Sequence, residues 1–557
     1  MIFDPILAPE RVAAMTSQGL WAGRLVADYL DDAATRNPDS VAIVDTNTMT
    51  GLSSTFTYRE LQTYSKRIAC GLAEIGVQRG DVVALQLPNW WHYAAIYTAC
   101  VRIGAVLNPL MPIFRERELE FMLGLAETNV LIVPHEFRGF DYPTMARGLQ
   151  AKLPHLNHIF VVGGKDSETA FESCLLDRHW EMETDSAALF ALRRPDPNDV
   201  TELIYTSGTT GEPKGVMHSA NTLICKALLA SELFNFKDDD VIFMGSPLAH
   251  QTGFMYACVL AIYNQCKCVL QDVWEPHLAA TLIAEESCTI TLGSTPFLSD
   301  LVEAQKVCAQ DVSALRLFLC AGAPIPRVLL HEAQKTHPNL YVMSAWGMTE
   351  MGIATATYPG DAQEKIFDTD GRTLPHQAVR VVDEDGRVVA NGIEGRLQSR
   401  CATTFLGYLK RPESYEVDSD FWLETGDNAR MDEDGYIRIT GRSKDIIIRG
   451  GENVPIVEVE ELLYRHPAIA DAAIVAMPDA RLGERGCAFV ALRPGGEFDF
   501  ATMIEYLLEG GLIKQYLPEQ LEILGEFPRT PSGKIQKFKL RERAQTLRPV
   551  AGASLKE

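Results

Sequence analysis

The chain lacks the features that mark membrane, nucleic-acid-binding or secreted proteins. No apolar run of about 18 residues occurs without a charge, so we expect no transmembrane helix. The formal net charge is −23, which disfavours a nucleic-acid partner because phosphates require a basic face. The N-terminus has neither the basic residues nor the long apolar stretch of a signal peptide.

Metal and redox motifs built on cysteine are also missing. The 12 cysteines are scattered, only Cys266 and Cys268 lie close together in sequence, and no C-x-x-C pair occurs. This pattern indicates neither a cysteine zinc site nor a dithiol redox motif. Unpaired thiols are typical of a reducing compartment, so we expect a cytoplasmic protein.

What the sequence does contain is an alternation of helical and strand patterns. Thr57 and Glu60 form a capping-box pattern. The apolar residues that follow fall on one helical face: Leu61, Tyr64, Ile68, Leu72 and Ile75. Residues 82–87 have the pattern of a buried strand and residues 93–103 that of another helix. Such alternation predicts parallel sheets covered by helices.

The pattern changes after about residue 370, where short strands are separated by glycines. We expect strands at residues 378–382, 395–399 and 435–440, and an amphipathic helix at residues 456–464. We therefore predict an α/β fold with a large N-terminal domain at residues 1–443, built of helix-covered sheets and a small β-barrel-like part. A small α+β domain is expected at residues 444–557.

A run of ten residues, Thr206 to Gly215, has a composition suited to a triphosphate. It holds three glycines, four hydroxyl residues and one lysine. Glycines let backbone N–H groups approach a ligand, and hydroxyls donate further hydrogen bonds. The run is not a Walker A loop, because Lys214 precedes Gly215 instead of a serine or threonine. A flexible glycine-rich surface loop is the alternative interpretation.

Three further segments follow this run at ordered intervals: Trp346-Gly-Met-Thr-Glu350, Trp422-Leu-Glu-Thr-Gly-Asp427 and Pro528-Arg-Thr-Pro-Ser-Gly-Lys534. With these segments the chain resembles, over essentially its whole length, the adenylate-forming superfamily of acyl-CoA synthetases, adenylation domains and luciferases. Within it, residues 441–454, 479–485 and 528–537 most resemble bacterial short- and medium-chain fatty acyl-CoA synthetases and cyclohexanecarboxylate–CoA ligases.

The resemblance implies a two-step reaction. A carboxylic acid is joined to the α-phosphate of ATP with release of pyrophosphate, and a thiol then displaces AMP. Negative oxygens meet in the first step, so positive charge must lie where charge builds. ATP, Mg²⁺ and coenzyme A are the implied co-substrates and cofactor, and a small-molecule carboxylic acid is the implied substrate.

The resemblance also assigns a nucleotide site. Thr349 would bond the α-phosphate, Glu350 would hold Mg²⁺, and Trp346 would stack on adenine in place of the more usual tyrosine. Asp427 and Arg442 would bind the ribose. The full set is Thr206, Ser207, Gly208, Thr209, Thr210, Gly211, Lys214, Gly322, Ala323, Trp346, Gly347, Met348, Thr349, Asp427, Arg442 and Lys534. A buried tryptophan, a turn aspartate and a surface ion pair are the alternatives for Trp346, Asp427 and Arg442.

The small domain carries the remaining implied roles. Lys534 would enter the active site for adenylation and bridge the carboxylate and the α-phosphate. Lys444 would be the hinge about which the mobile domain rotates, and Gly450 and Gly451 would approach the pantetheine arm of CoA. A solvated surface lysine and a hairpin turn are the alternatives.

His250 is expected at the junction of the acyl pocket and the thiol tunnel, with a satisfied core histidine as its alternative. The implied acyl pocket contains His250, Phe254, Gly322 and Ile353, and Met255 and Phe297 are further apolar candidates. These residues favour a hydrophobic medium-chain or alicyclic acid over an amino acid.

Other functions compete with a CoA ligase. The nearest is a ligase that loads a carrier protein, which we expect to be a separate chain because no fused carrier follows. An inactive scaffold and a luciferase-like oxidative enzyme are more distant alternatives. A homodimer is compatible with the sequence.

Overall fold

Helices and strands alternate through most of the chain, as the periodicity predicts. The structure is a computed structural model that describes residues 1, 3–206, 212–307, 310–322, 325–442, 447–449, 452–479, 481–530 and 533–547. Its α-helices are Pro9–Ser17, Val26–Arg36, Tyr58–Glu74, His92–Ile103, Glu116–Leu125, Tyr142–Gln150, Trp180–Glu183, Ser186–Arg193, Ala220–Leu233, Gln251–Gly253, Leu260–Asn264, Pro276–Glu285, Thr295–Val307, Arg327–Thr336, Gln363–Asp368, Ile456–Tyr464, Phe500–Glu509 and Lys537–Thr546. Short π-helical segments lie at Glu172–Leu176 and Phe254–Val259, and 3₁₀ turns at Pro412–Ser414 and Lys514–Tyr516.

Two large sheets with mainly parallel interior pairs form the body of the molecule. In spatial order, the first contains Arg372–Thr373, Gly352–Ala356, Tyr341–Met348, Leu317–Cys320, Ile290–Gly293, Val241–Met244, Lys267–Gln271, Val41–Asn47 and Leu52–Thr57. The second contains Lys214–Ser219, Val200–Thr206, Val106–Pro109, Val82–Leu85, Val130–Pro134 and His158–Val162. A small hairpin pairs Glu136–Phe137 with Phe140–Asp141.

Two smaller sheets complete the fold. An antiparallel sheet contains Gln377–Val382, Gly395–Cys401, Leu423–Met431 and Ile437–Arg442. The last sheet contains Glu452–Val454, Ile447–Arg449, Gly483–Leu492 and Ile469–Asp479, with Gln520–Leu524 beside Gly483–Leu492. The predicted α/β class is thereby confirmed. The predicted boundary between residues 443 and 444 falls outside the described residues and stays a prediction.

Local sequence signals explain several of these elements. Helix Tyr58–Glu74 begins with the predicted capping box, in which the Thr57 hydroxyl accepts from the Glu60 backbone N–H at 3.3 Å and Glu60 accepts from the Thr57 backbone N–H at 2.8 Å. Its predicted apolar face is buried at Leu61, Ile68 and Leu72. Helix Ile456–Tyr464 has the predicted bounds. None of the described helices has the length and apolarity to span a bilayer.

The C-terminal sheet and its helices have a core of their own and are seated on the rest of the chain through a charge cluster. Glu461, on helix Ile456–Tyr464, pairs with Arg438 and lies 3.8 Å from the Nε of Arg327. Asp370 lies 3.7 and 3.8 Å from the same two arginines. Burial and, to a smaller extent, the charge of Glu461 raise the pKa of Asp370 to about 7. Glu461 is therefore the C-terminal member of a cluster that holds both parts together.

Replacing Glu461 by glutamine should loosen this seating, because a charge-assisted hydrogen bond is lost. We expect hydrogen exchange of helix Ile456–Tyr464 and strand Ile437–Arg442 to become about tenfold faster. Glu458→Gln, on the exposed side of the same helix, is the matched control. Unchanged exchange in Ile437–Arg442 would contradict the role given to Glu461.

Candidate active site

A lysine, a tyrosine and a carboxylate form a chain of contacts beside the expected phosphate loop. Lys214 begins the strand that pairs with Val200–Thr206, in register with Thr206. Its ammonium lies 4.7 Å from the centre of the Tyr408 ring, within cation–π range. The Tyr408 hydroxyl donates to Glu350 Oε1 at 2.8 Å. Burial and, to a smaller extent, the charge of Glu350 raise the pKa of Tyr408. The phenol therefore keeps its proton and orients this carboxylate.

Asp427 is held by two donors. Asp427 and Arg442 face each other across antiparallel strands, and the Arg442 Nε donates to Asp427 Oδ1 at 3.2 Å. The indole N–H of Trp346 donates to Asp427 Oδ2 at 2.8 Å. Trp346 is buried in an apolar cluster with Ile204 and Phe405. A carboxylate has about four lone-pair sites, so Asp427 retains acceptor capacity for a further ligand.

Lys534 comes from the C-terminal part of the chain and reaches this same site. Its side chain passes close to Gly322, where an added Cβ would lie 3.1 Å from Lys534 Cε. Burial lowers the pKa of Lys534, Arg442 lowers it further, and the charges of Asp427 and Glu350 oppose that shift. The structure thus brings Lys534 together with Glu350, Asp427 and Arg442.

Glycine at two positions permits this approach. Gly322 has φ +85°, and a side chain there would press on Lys534. Gly533 has φ +83°, and a Cβ there would lie 2.8 Å from the Ser294 hydroxyl. The loop is further fixed by the Thr530 hydroxyl, which accepts from the Lys534 backbone N–H at 3.0 Å. Lys534 can therefore enter only because neither of these two positions carries a side chain.

His250 lies within electrostatic reach of Lys534. It precedes the short helix Gln251–Gly253, and its Nδ1 accepts from the Thr252 backbone N–H at 3.3 Å. Burial lowers the pKa of His250 to about 3, and the charge of Lys534 contributes. The imidazole is therefore neutral near pH 7.

The expected acyl-pocket residues divide between two apolar clusters. Phe254, Met255 and Ile353 belong to the main cluster, and Phe254 packs edge-on against Tyr97 with ring centres 4.8 Å apart. Phe297 lies in a different cluster, where its ring meets Trp274 at 4.7 Å. The first three therefore share the main core, whereas Phe297 is a residue of helix Thr295–Val307 and packs in the second cluster.

Three expected site residues complete the turn around Glu350. Gly347 and Met348 end strand Tyr341–Met348, and a Cβ at Gly347 would lie 2.1 Å from the Gly352 carbonyl oxygen. The Thr349 carbonyl oxygen accepts from Lys226 Nζ at 3.2 Å and lies 2.8 Å from His218 Nε2. Several predicted residues lie outside the described residues: Ser207, Gly208, Thr209, Thr210, Gly211, Ala323, Lys444, Gly450 and Gly451.

Sequence reasoning missed Tyr408 and Lys226. Tyr408 follows Gly407, whose φ is +111°. No predicted catalytic residue lies near it in the sequence. Lys226 lies within the apolar middle of helix Ala220–Leu233 and is 4% exposed. A lysine within a buried helical pattern is the signal that could have identified it, because lysine is almost never fully buried without a partner.

Two family profiles match this chain. The one described as AMP-binding enzyme matches residues 30–409, and the one described as AMP-binding enzyme C-terminal domain matches residues 458–534. A medium-chain fatty-acid–CoA ligase of Escherichia coli (strain K12) is 35% identical over 96% of this chain and 93% of its own length. A 2,3-dihydroxybenzoate-AMP ligase of Bacillus subtilis (strain 168) is 33% identical over 96% of each chain.

Solved structures show the same architecture. ATP-bound MatB from Rhodopseudomonas palustris is 27% identical, with a TM-score of 0.81 over 93% of this chain and 99% of that one. Apo MatB has the same identity and the same coverage but a TM-score of 0.71. The arrangement of this chain is therefore more similar to the ATP-bound form than to the apo form.

The lowered pKa of His250 tests whether His250 is buried and whether Lys534 lies near it. We expect the His250 imidazole to stay neutral down to about pH 4, and Lys534→Met to raise its pKa only in part, because burial is the larger cause. Nitrogen-15 NMR titration of labelled histidine measures this, with His250→Gln assigning the signal. An ordinary histidine pKa in the wild type would contradict the burial. No change in Lys534→Met would contradict the proximity of Lys534.

Proposed function

The chain belongs to the family of AMP-binding enzymes and is an adenylate-forming acid ligase, and we propose that it activates a hydrophobic carboxylic acid with ATP and transfers the acyl group to coenzyme A. The products would be acyl-AMP and pyrophosphate in the first step, then acyl-CoA and AMP. The observation that carries the proposal is the entry of Lys534 beside Gly322, where Glu350, Asp427 and Arg442 act on its charge.

These residues suit the charges of the first step. A carboxylate attacking the α-phosphate brings negative oxygens together, and a cation fixed in a partly buried site stabilises that arrangement more than water does. Lys534 would supply this charge, and its lowered pKa reflects the same burial. Lys214, beside the phosphate loop, would bind the departing pyrophosphate, while Asp427 accepts from the ribose hydroxyls.

A magnesium ion fits the donor set through one protein carboxylate. Glu350 is 6% exposed and keeps Oε2 free of the bond that Tyr408 makes to Oε1. No cluster of three or more histidine, cysteine or acidic ligands occurs among the described residues. Mg²⁺ in nucleotide enzymes is commonly held by one or two carboxylates with substrate phosphates, and it would neutralise phosphate charge here.

The second step requires Lys534 to leave. In the present arrangement Lys534 occupies the side of the site near His250, where a thiol would approach. The greater likeness to ATP-bound than to apo MatB supports an adenylation arrangement. We propose that the domain at residues 444–557 rotates about Lys444, bringing Gly450 and Gly451 to the pantetheine arm.

The acyl group is proposed to be a medium-chain or alicyclic acid. Phe254, Met255 and Ile353 lie in one apolar cluster, and burying apolar chain length against such side chains is favourable. Likeness to a medium-chain fatty-acid–CoA ligase supports the same substrate class.

A ligase that loads a separate carrier protein is the second candidate. It is favoured by one observation, the 33% identity to a 2,3-dihydroxybenzoate-AMP ligase over nearly the full length of both chains. Both candidates share the first step, and they differ only in the thiol that accepts the acyl group.

Lys534→Ala separates the two half-reactions. We expect pyrophosphate exchange to fall at least about a hundredfold, because the transition-state cation is lost, while thioester formation from supplied acyl-AMP stays within about threefold. Lys539→Ala, an exposed lysine on the following helix, is the control. An equal loss in both half-reactions would contradict the role assigned to Lys534.

A screen of acids and acceptors tests the substrate. With CoA present, octanoic and cyclohexanecarboxylic acids should be turned over with kcat/KM at least about tenfold above that for phenylalanine, because a charged ammonium is costly to bury in an apolar pocket. Pyrophosphate exchange should persist without CoA. If CoA failed and a phosphopantetheinylated carrier protein accepted the acyl group, the second candidate would replace the first.

A further inference from the structure

Behind the Thr349–Glu350 turn lies a buried polar network that the assigned roles do not use. Its members are Glu202, His218, Lys226 and Gln251, each no more than 5% exposed. Glu202 and His218 lie on the two paired strands that flank the phosphate loop, Lys226 on helix Ala220–Leu233, and Gln251 directly after His250. The network therefore joins the segments that carry the proposed chemistry.

Lys226 is the centre of this network. Its Nζ lies 2.9 Å from His218 Nε2 and 3.2 Å from the Thr349 carbonyl oxygen. With the Gln251 amide oriented by its partners, its oxygen accepts from Lys226 Nζ at 3.2 Å and its nitrogen donates to Glu202 Oε1 at 3.0 Å. Three acceptors thus match the three N–H bonds of an ammonium.

We assign the proton of His218 to Nδ1, because the Thr222 hydroxyl, 3.2 Å away, already donates to the Ser219 carbonyl at 3.0 Å and can accept from the imidazole. In this tautomer Nε2 accepts from Lys226. His218 Nε2 and the Thr349 carbonyl oxygen lie only 2.8 Å apart. Two acceptors at this distance repel each other unless a shared cation lies against both.

The charge of Lys226 has nearby counter-charges. Burial lowers the pKa of Lys226 to about 7 against the opposing effect of the charges of Glu202 and Glu350. These carboxylates therefore favour the ammonium form. The stem of Lys226 is packed under the same turn, since a Cβ on Gly352 would lie 3.2 Å from Lys226 Cδ.

On the basis of the proposed adenylation function, we infer that Lys226 is a positioning residue for that step: its ammonium holds the Thr349 carbonyl against His218 and so fixes the turn that presents Thr349 and Glu350. The bond through Gln251 ties this turn to the loop of His250. Thioester formation starts from acyl-AMP, which keeps the α-phosphate but lacks the pyrophosphate whose charge builds in the first step, so it depends much less on Lys226.

Lys226→Met tests this inference by removing the charge at nearly constant length. We expect pyrophosphate exchange to fall about 10- to 100-fold, mainly in kcat, with the KM for the acid nearly unchanged. Thioester formation from supplied acyl-AMP should stay within about threefold. Leu229→Met, one turn further on the same helix and lining the same small cavity as Lys226, is the matched control and should behave as wild type.

A double variant separates positioning from stability. Burial raises the pKa of Glu202 to about 7 although the charge of Lys226 opposes this shift, so in Lys226→Met the buried Glu202 must bind a proton or stay unpaired, and either lowers Tm. Adding Glu202→Gln removes this carboxyl group and should restore Tm while exchange stays slow. Recovery of exchange together with Tm would overturn the inference, as would an equal loss in both half-reactions. If Lys226→Met does not fold, Lys226→Gln carries the same expectations.

The wild type is measured first with the same acid. Absence of pyrophosphate exchange there would contradict the proposed function. A wild type with normal exchange beside a Lys226→Met variant with normal exchange would overturn only the role of Lys226.

Discussion

The site depends on gathering positive charge at one place in a chain whose formal net charge is −23. Lys534 enters beside Glu350 and Asp427, and Arg442 lies close enough to lower the pKa of Lys534 further. Cations at short range in a partly buried site repel one another strongly. The nearby carboxylates Glu350 and Asp427 are therefore as necessary as the cations, because they offset this repulsion.

This arrangement constrains the backbone across the domain contact. Lys534 reaches the site only because Gly322 and Gly533 allow close approach on both sides of its loop. The charge cluster around Glu461 seats the same C-terminal unit at a second point. A unit held by polar contacts can be released at lower cost than one held by a large apolar interface, which suits the rotation proposed above.

The parts of the site that lie within continuous motifs could be predicted from sequence. Trp346, Glu350, Asp427, Arg442 and Lys534 stand in segments whose order resembles a known family, and the structure brings them together. Helix Ile456–Tyr464 was also predictable, because its apolar period is set by local sequence.

Contacts between distant segments could not be predicted in the same way. Tyr408 reaches Glu350 across 58 positions, and Lys226 reaches Thr349 across 123. Neither pair has a spacing that identifies it. Phe254 and Phe297 look alike as apolar candidates, yet they belong to different clusters, because they lie on different helical segments, Phe254–Val259 and Thr295–Val307.

Trp346 shows how a departure from the family pattern changes the site. The indole N–H is a fixed donor that cannot accept, and it is bonded to Asp427 Oδ2 while Arg442 bonds Oδ1. A tyrosine hydroxyl could rotate and could accept as well as donate. With tryptophan, the orientation of the Asp427 carboxylate is set from the buried side by a group with one hydrogen-bonding role. The carboxylate is therefore preorganised, and a ribose would bind to acceptor sites whose direction does not have to be reset.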